Sequence, residues 1–310
     1  MKIIYLSNNS RSSIGILQGL MKLNFEIKTS CDYISFGKTI LKGNLSKTDF
    51  LNSDLIIASD VINSYKSIIE ENNLWHKVIN IDYRDTCKTL DYPCLGSFKR
   101  SLTNKDRELV VDLEKYYPIW HCALNEYYTK EHTQKYKIGC FFNLKTPDHL
   151  GFRRLNLIST LNELNLKNSL IGYSTGAKQK ARLAISDPPN NNCFLDFLNL
   201  QNKCQIIFTA QPSHCEGDNR TWEAMASGAL VFMDKTYHPM INPFEDKKHC
   251  FIYDASSKKS ILDAIELALS LDDETIANIA QNGYEFVKKY HRPENRIRYI
   301  FHSLGIKSFV

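Results

Sequence analysis

Short apolar runs alternate along this chain with stretches whose apolar positions recur at helical spacing. Residues 2–6 (Lys-Ile-Ile-Tyr-Leu) read as a buried strand, 7–13 as a polar loop, and 14–23 as an amphipathic helix. Strands follow at 25–29, 54–59 and 78–81, the last running into Asp82, with a helix over about 63–71. The pattern then restarts. Residues 137–142 read as a strand and 152–164 as a helix, entered from a loop carrying Lys145, His149 and Gly151. Strands at 170–173, 205–210, 229–234 and 250–253 come next, with helix over 193–201 and a helical C-terminus. Strands alternating with helices predict a parallel, doubly wound sheet, and ligands bind outside the carboxyl ends of its strands. Two such series predict two Rossmann-like domains, 1–135 and 136–290, with a last helical segment, 291–310.

Length agrees, since 310 residues suit two domains. The balance of 43% hydrophobic and 24% charged residues is that of an ordinary globular chain. A net charge of +5 suits an anionic ligand, but no clustered basic surface or basic–aromatic alternation points to nucleic acid. Only four apolar residues follow Lys2 before Ser7, so no signal peptide is read, and no run approaches the roughly 20 apolar residues of a membrane span. Nine cysteines without a C-x-x-C pair read as reduced thiols, not a zinc site, and predict a cytoplasmic protein. No Gly-x-Gly-x-x-Gly or Walker loop follows a strand, and the triplet Asp272-Asp273-Glu274 reads as a helix start.

The stretch from Gly217 to Asp234 carries the most chemistry. Gly217 and Asp218 form a loop, Asp218 or Asn219 can cap a helix, Gly228 can end it in a left-handed conformation, and a buried strand follows. Helical spacing puts Trp222, Met225, Ala226 and Ala229 on one face, expected to be buried, and Arg220, Glu223, Ala224 and Ser227 on the other. A cation and a carboxylate beside a helix N-terminus suit a pyrophosphate and a pair of sugar hydroxyls. The same pair also fits a solvated ion pair worth a few tenths of a kcal/mol, roughly. Asn219-Arg220-Thr221 is a glycosylation sequon, and modification there would block such a site.

Arg220-x-x-Glu223-Ala224-x-x-x-Gly228 followed by an apolar strand closely resembles the donor-site segment of GT-B glycosyltransferases, nearest to the CgeB-like and exostosin-like families. The likeness covers roughly the last hundred residues: a strand at 251–254, a closing helix around 276–284, and an ending with His291 and Arg296. It implies the GT-B fold, two Rossmann-like domains facing across a cleft, with the last helix crossing back to the first. It implies a nucleotide-sugar donor, UDP-linked, and a glycan or other hydroxyl acceptor. No metal or other cofactor is expected, because basic groups and helix termini neutralise the leaving diphosphate.

On this reading Glu223 holds donor hydroxyls and Arg220 stabilises the diphosphate. Asn219 and Thr221 stand at the helix start, Ser213 in the loop before it, and Tyr173 at a strand end where a base stacks. Lys145 and Arg153, with Arg154, flank the first loop of the second domain and can reach phosphates. An inverting enzyme needs a general base, expected from Asp82 or Asp85, with Asp60, His121 and His149 as alternatives. Many retaining relatives carry two glutamates with seven residues between them, and Glu216 and Glu223 have only six between them, which favours inversion. A GT-B-fold sugar-nucleotide epimerase and a non-catalytic nucleotide-sugar binding module share the donor site and remain alternatives.

Overall fold

Lys2–Leu6 (β1) is buried from Ile3 onward, as a strand covered on both faces must be. In the computed structural model the described residues are 1–8, 10–35, 38–84, 86–104, 108–128, 135–143, 151–174, 182–183, 198–212 and 217–306. The chain divides into two units. The first comprises Met1–Asn125, His238–Met240 and Arg292–Val310, and the second Glu126–Tyr237 and Ile241–His291.

In the first unit the strands after β1 are Glu26–Thr29 (β2), Tyr33–Ser35 (β3), Lys38–Leu41 (β4), Leu55–Ser59 (β5), Val78–Asp82 (β6), Gly96–Lys99 (β7) and Tyr116–Pro118 (β8). Six of them form one sheet in the order β2-β1-β5-β6-β7-β8, all parallel, with Ile3 opposite Leu55 and Ile57 opposite Ile79. β3 and β4 pair antiparallel. Helix α1 (Arg11–Lys22) starts at Ser10, whose side chain accepts from Ser13 N. Helix α2 (Lys47–Asn52) opens on a reciprocal Ser46–Asp49 capping box. Helix α3 (Lys66–Glu71) follows a 3₁₀ turn over Ile62–Tyr65. Ile4, Leu6, Ile56, Ala58, Trp75 and Val78 share one core cluster. Each large apolar side chain so buried contributes about 1.5–3 kcal/mol.

The second unit holds Tyr136–Asn143 (β9), Ser169–Ser174 (β10), Arg182–Leu183 (β11), Cys204–Thr209 (β12), Leu230–Asp234 (β13) and Phe251–Tyr253 (β14). Their order is β11-β10-β9-β12-β13-β14, parallel except for the edge strand β11. Among its helices are α4 (Phe152–Leu164), α5 (Asn219–Ala226), α6 (Lys258–Ser270) and α7 (Asp273–Tyr290). Phe208, Phe232 and Phe251 stack in succession at 4.8 Å between ring centroids, which ties β12, β13 and β14 together through their side chains. Asp272 caps α7, accepting from Thr275 N at 2.7 Å, so the acidic triplet is a helix start.

The last helix, α8 (Pro293–Ser303), belongs to the first unit and lies on α1. A Cβ added at Gly19 would stand 2.4 Å from the Pro293 carbonyl oxygen, so the glycine is what lets these backbones meet. Arg296, buried at the same place, lies 4.4 Å above the Trp120 ring.

Most strands and helices fall within a residue or two of the sequence reading. The β3–β4 hairpin and strands β7 and β8 do not appear in it. β7 is Gly-Ser-Phe-Lys, with Ser97 and Lys99 buried, and β8 is Tyr-Tyr-Pro. Neither has a run of apolar residues, and both are strands because a neighbouring strand already offers its ladder.

Candidate functional site

The second sheet reverses its order between β9 and β12. Ligands of doubly wound sheets bind at the carboxyl ends of the strands that flank such a reversal. β12 ends there at Thr209, and the chain continues through Ala210 and Gln211, returns at Gly217 and Asp218, and enters α5. Gly217 has φ +105, and a Cβ on it would lie 2.8 Å from the Trp222 ring, so both the turn and the space require glycine. Trp222 is fully buried, with the Phe244 and His291 ring centroids at 5.6 and 6.2 Å. His291 Nε2 is 3.0 Å from the Asn242 carbonyl.

Asp218 caps α5. One of its oxygens takes the Arg220 N–H at 3.4 Å and the Arg220 guanidinium at 3.1 Å. The other takes Arg154 Nη2 at 2.9 Å, and Arg154 Nε donates to the Ala210 carbonyl at 3.1 Å. Gln211 donates its backbone N–H to Asp234 Oδ2 at 3.2 Å and its side-chain amide to the Asp234 carbonyl at 3.1 Å, and accepts from Gly217 N at 2.8 Å. Asp234 Oδ1 accepts from Arg153 at 2.6 Å and from Ala255 N at 2.9 Å. Burial raises the Asp234 carboxyl, with Arg153 and the two N–H donors opposing it.

The sequence-derived donor residues are placed as follows. Asn219 and Arg220 are half-buried at the first turn of α5, next to its N-terminal N–H groups. Glu223 stands one turn on and is 2% exposed, with Thr221 through Ala226 buried all round. The expected two-faced helix is therefore not observed: α5 is enclosed on both faces, and Glu223 is no solvated partner of Arg220. Thr221 Oγ1 is 2.9 Å from Thr209 Oγ1, which fastens α5 to the end of β12. The Arg153 guanidinium is buried between Asp234 and Asp254, at 2.6 and 3.2 Å, and braces these carboxylates. Tyr173 lies in β10 with its backbone opposite Phe142, and its side chain lies outside the described residues. Lys145, His149, Ser213 and Asp85 also lie outside them.

The first sheet reverses between β1 and β5, and polar groups gather along its carboxyl edge. Asp82 was expected to be a base, but its carboxylate is already committed: Arg84 donates at 2.9 and 2.7 Å, and buried Lys99 lies 3.1 Å away. Burial raises its pKa, but Arg84 and Lys99 outweigh this and hold the carboxyl below its ordinary value, which makes it a poor proton acceptor. His121 Nε2 is 3.2 Å from Arg100 Nη1, which can only donate. That nitrogen then accepts, and Nδ1 lies 3.2 Å from Ser12 Oγ.

Asp60 differs. It follows β5 with φ +61, donates its N–H to the Ile81 carbonyl at 3.0 Å, and accepts from Tyr83 N at 2.8 Å. Burial pushes its carboxyl up to about 6, against the Tyr83 N–H. Among the described carboxylates of this edge, it is the one suited to taking a proton near neutral pH. Neither Gln211 nor the roles of Arg154 and Asp234 were legible in the sequence, because their partners lie up to 64 and 81 residues away.

The architecture, an α/β fold with parallel sheets in two domains, is that of GT-B glycosyltransferase structures. A family model described as "Glycosyl transferase-like" matches residues 193–302. A structure of HepE from Anabaena in complex with UDP-glucose is similar over 98% of this chain and 99% of its own, at 12% identity and a TM-score of 0.67. An alpha-glucosyltransferase in complex with UDP and a DNA 13-mer is similar over 98% of both chains, at 10% identity and a TM-score of 0.66. A glycosyltransferase from Rickettsia africae covers 99% of both chains, at 12% identity and a TM-score of 0.62. No curated protein matches the chain. Among the described residues no helix is long and apolar enough to cross a membrane.

Proposed function

We propose that this protein is a glycosyltransferase that moves a sugar from a UDP-linked donor to a hydroxyl of a glycan or other acceptor, with inversion and without a metal ion. The observation that carries the reading is the start of α5, where Arg220 stands beside the first N–H groups and buried Glu223 follows one turn later, at the order reversal of the second sheet. The complexes of HepE with UDP-glucose and of the alpha-glucosyltransferase with UDP support the choice of nucleotide.

In the proposed reaction the bond between the sugar's anomeric carbon and the diphosphate oxygen breaks, and the acceptor oxygen bonds to the same carbon from the opposite side. The acceptor's proton passes to Asp60. The charge left on UDP meets Arg220 and the helix N-terminus, where fixed cations and dipoles act without reorganising. Glu223 accepts from donor hydroxyls. The free thiols, Cys31 and Cys250 among them, suit a reducing, cytoplasmic setting.

UDP at about 100 times its dissociation constant should stabilise the fold by roughly 2.7 kcal/mol, a clear rise in melting temperature. Incubation with sugar nucleotides then separates the readings: UDP release with a glycosylated acceptor supports transfer, an epimerised sugar nucleotide supports epimerisation, and binding without turnover supports a binding module. No melting shift with millimolar UDP in folded protein would overturn the donor-site reading.

A further inference from the structure

Two side chains outside α5 close the loop that leads into it. Arg154 joins Ala210 at the loop's exit from β12 to Asp218 at its return, and Gln211 joins the end of β13 to Gly217. Gln211 is 1% exposed, and its amide donates on one side and accepts on the other. That use is selective. A glutamate would set an anion against the Asp234 carbonyl and carboxylate, an asparagine is one methylene too short, and an apolar residue can make neither bond. Directly past Gly217 comes Asp218, which caps the helix and holds Arg220.

We propose that Gln211 is a positioning residue of the donor site, which sets through Gly217 and Asp218 where Arg220 and the first N–H groups of α5 stand toward a nucleoside diphosphate. The inference rests on the donor-site reading above. Gln211 touches no substrate in this role; it fixes the chain segment that does. Displacements of about 1 Å at such a site can cost about 10²-fold in rate, so a buried amide bridging both ends of the loop bears on binding and turnover as well as on stability.

The test measures UDP affinity by calorimetry, together with kcat and KM for a UDP-sugar, in the full chain, in Gln211→Met and in Gln211→Glu. Gln211→Met should weaken UDP about tenfold or more in the folded protein, in line with the sensitivity of such sites to small displacements. Gln211→Glu should be impaired at pH 8 and recover toward the wild type at pH 5, because a protonated carboxyl again donates toward the Asp234 carbonyl while accepting from Gly217. The charged groups around it are Asp234 at the end of β13, bonded to Gln211 itself and paired with Arg153 of α4, which also meets Asp254 beyond β14, and Asp218, next to Gly217 and paired with Arg154 and Arg220. If Gln211→Met does not fold, the pH dependence of Gln211→Glu relative to the wild type decides the matter. Wild-type affinity and kcat in Gln211→Met with only a lower melting temperature, or a pH-independent ratio for Gln211→Glu, overturns this inference alone. Failure of the wild type to bind UDP overturns the donor-site reading and this inference with it.

Discussion

Arg154 and Asp218 meet at 2.9 Å with both side chains 5% exposed, and the second oxygen of the same carboxylate lies 3.1 Å from Arg220. A buried cation thus fixes the carboxylate that fixes the cation of the candidate site. Removing one member of a buried pair leaves the other uncompensated, at a cost of about 3–5 kcal/mol. Arg154→Met should therefore destabilise the protein by an amount of that order in urea unfolding, whereas Arg220→Ala, which leaves Asp218 still paired with Arg154, should lower the midpoint less.

Arg220→Ala and Glu223→Ala should separate in steady-state kinetics. Arg220 meets charge that grows as the diphosphate leaves, so its loss should lower kcat by about 10²–10³-fold, as for other groups that stabilise developing charge. Glu223 contacts hydroxyls already present in the bound donor, so its loss should chiefly raise the donor KM. Unchanged kinetics in both folded variants would return the pair to a structural role.

Asp60→Asn should lower kcat by about 10²–10⁴-fold with UDP affinity retained, the effect of removing a general base. The acid limb of kcat should follow the Asp60 carboxyl, raised to about 6, with rate rising as pH increases through that value. A carboxyl raised on folding binds protons more tightly in the folded state, so between its unfolded and folded pKa values stability falls as pH rises. Asp60→Asn removes that penalty and should raise the melting temperature at pH 8 while leaving it unchanged at pH 3. A retained kcat would exclude Asp60 as the base.

Asp82→Asn should behave differently again. Its loss strands Lys99, which is 1% exposed. The expected outcome is a lower unfolding midpoint with kcat of the folded fraction within a few-fold of the wild type. A fall in kcat of about 10²-fold or more without destabilisation, the mark of a general base, would restore Asp82 to that role.

Turnover should survive chelation, since Arg220 and the α5 N-terminus are placed to take the leaving-group charge. Activity lost in EDTA and restored only by magnesium or manganese would contradict this.

The sequence by itself determined the alternation of strands and helices, and with it the two parallel sheets, because strands buried on both faces must be written as apolar runs and their helices as amphipathic ones. Ile56 and Ile57 or Val231 and Phe232 can stand nowhere else. It also narrowed the helix cap to Asp218 or Asn219 and determined the left-handed Gly228, with φ +86, and the sequence neighbourhood of Arg220 and Glu223, because capping and turn chemistry are local. The tertiary structure decided which charged groups are spent. Arg153 and Arg154 are adjacent and indistinguishable in sequence, yet one braces Asp234 and the other holds Asp218. Asp60 directly follows β5 and Asp82 ends β6, yet Lys99 and Arg84 claim only the second as an ion pair. Strands β7 and β8 likewise exist because β6 offers a ladder to extend. Burial and pairing are properties of the surroundings a residue acquires on folding, and those surroundings come from segments tens of residues away.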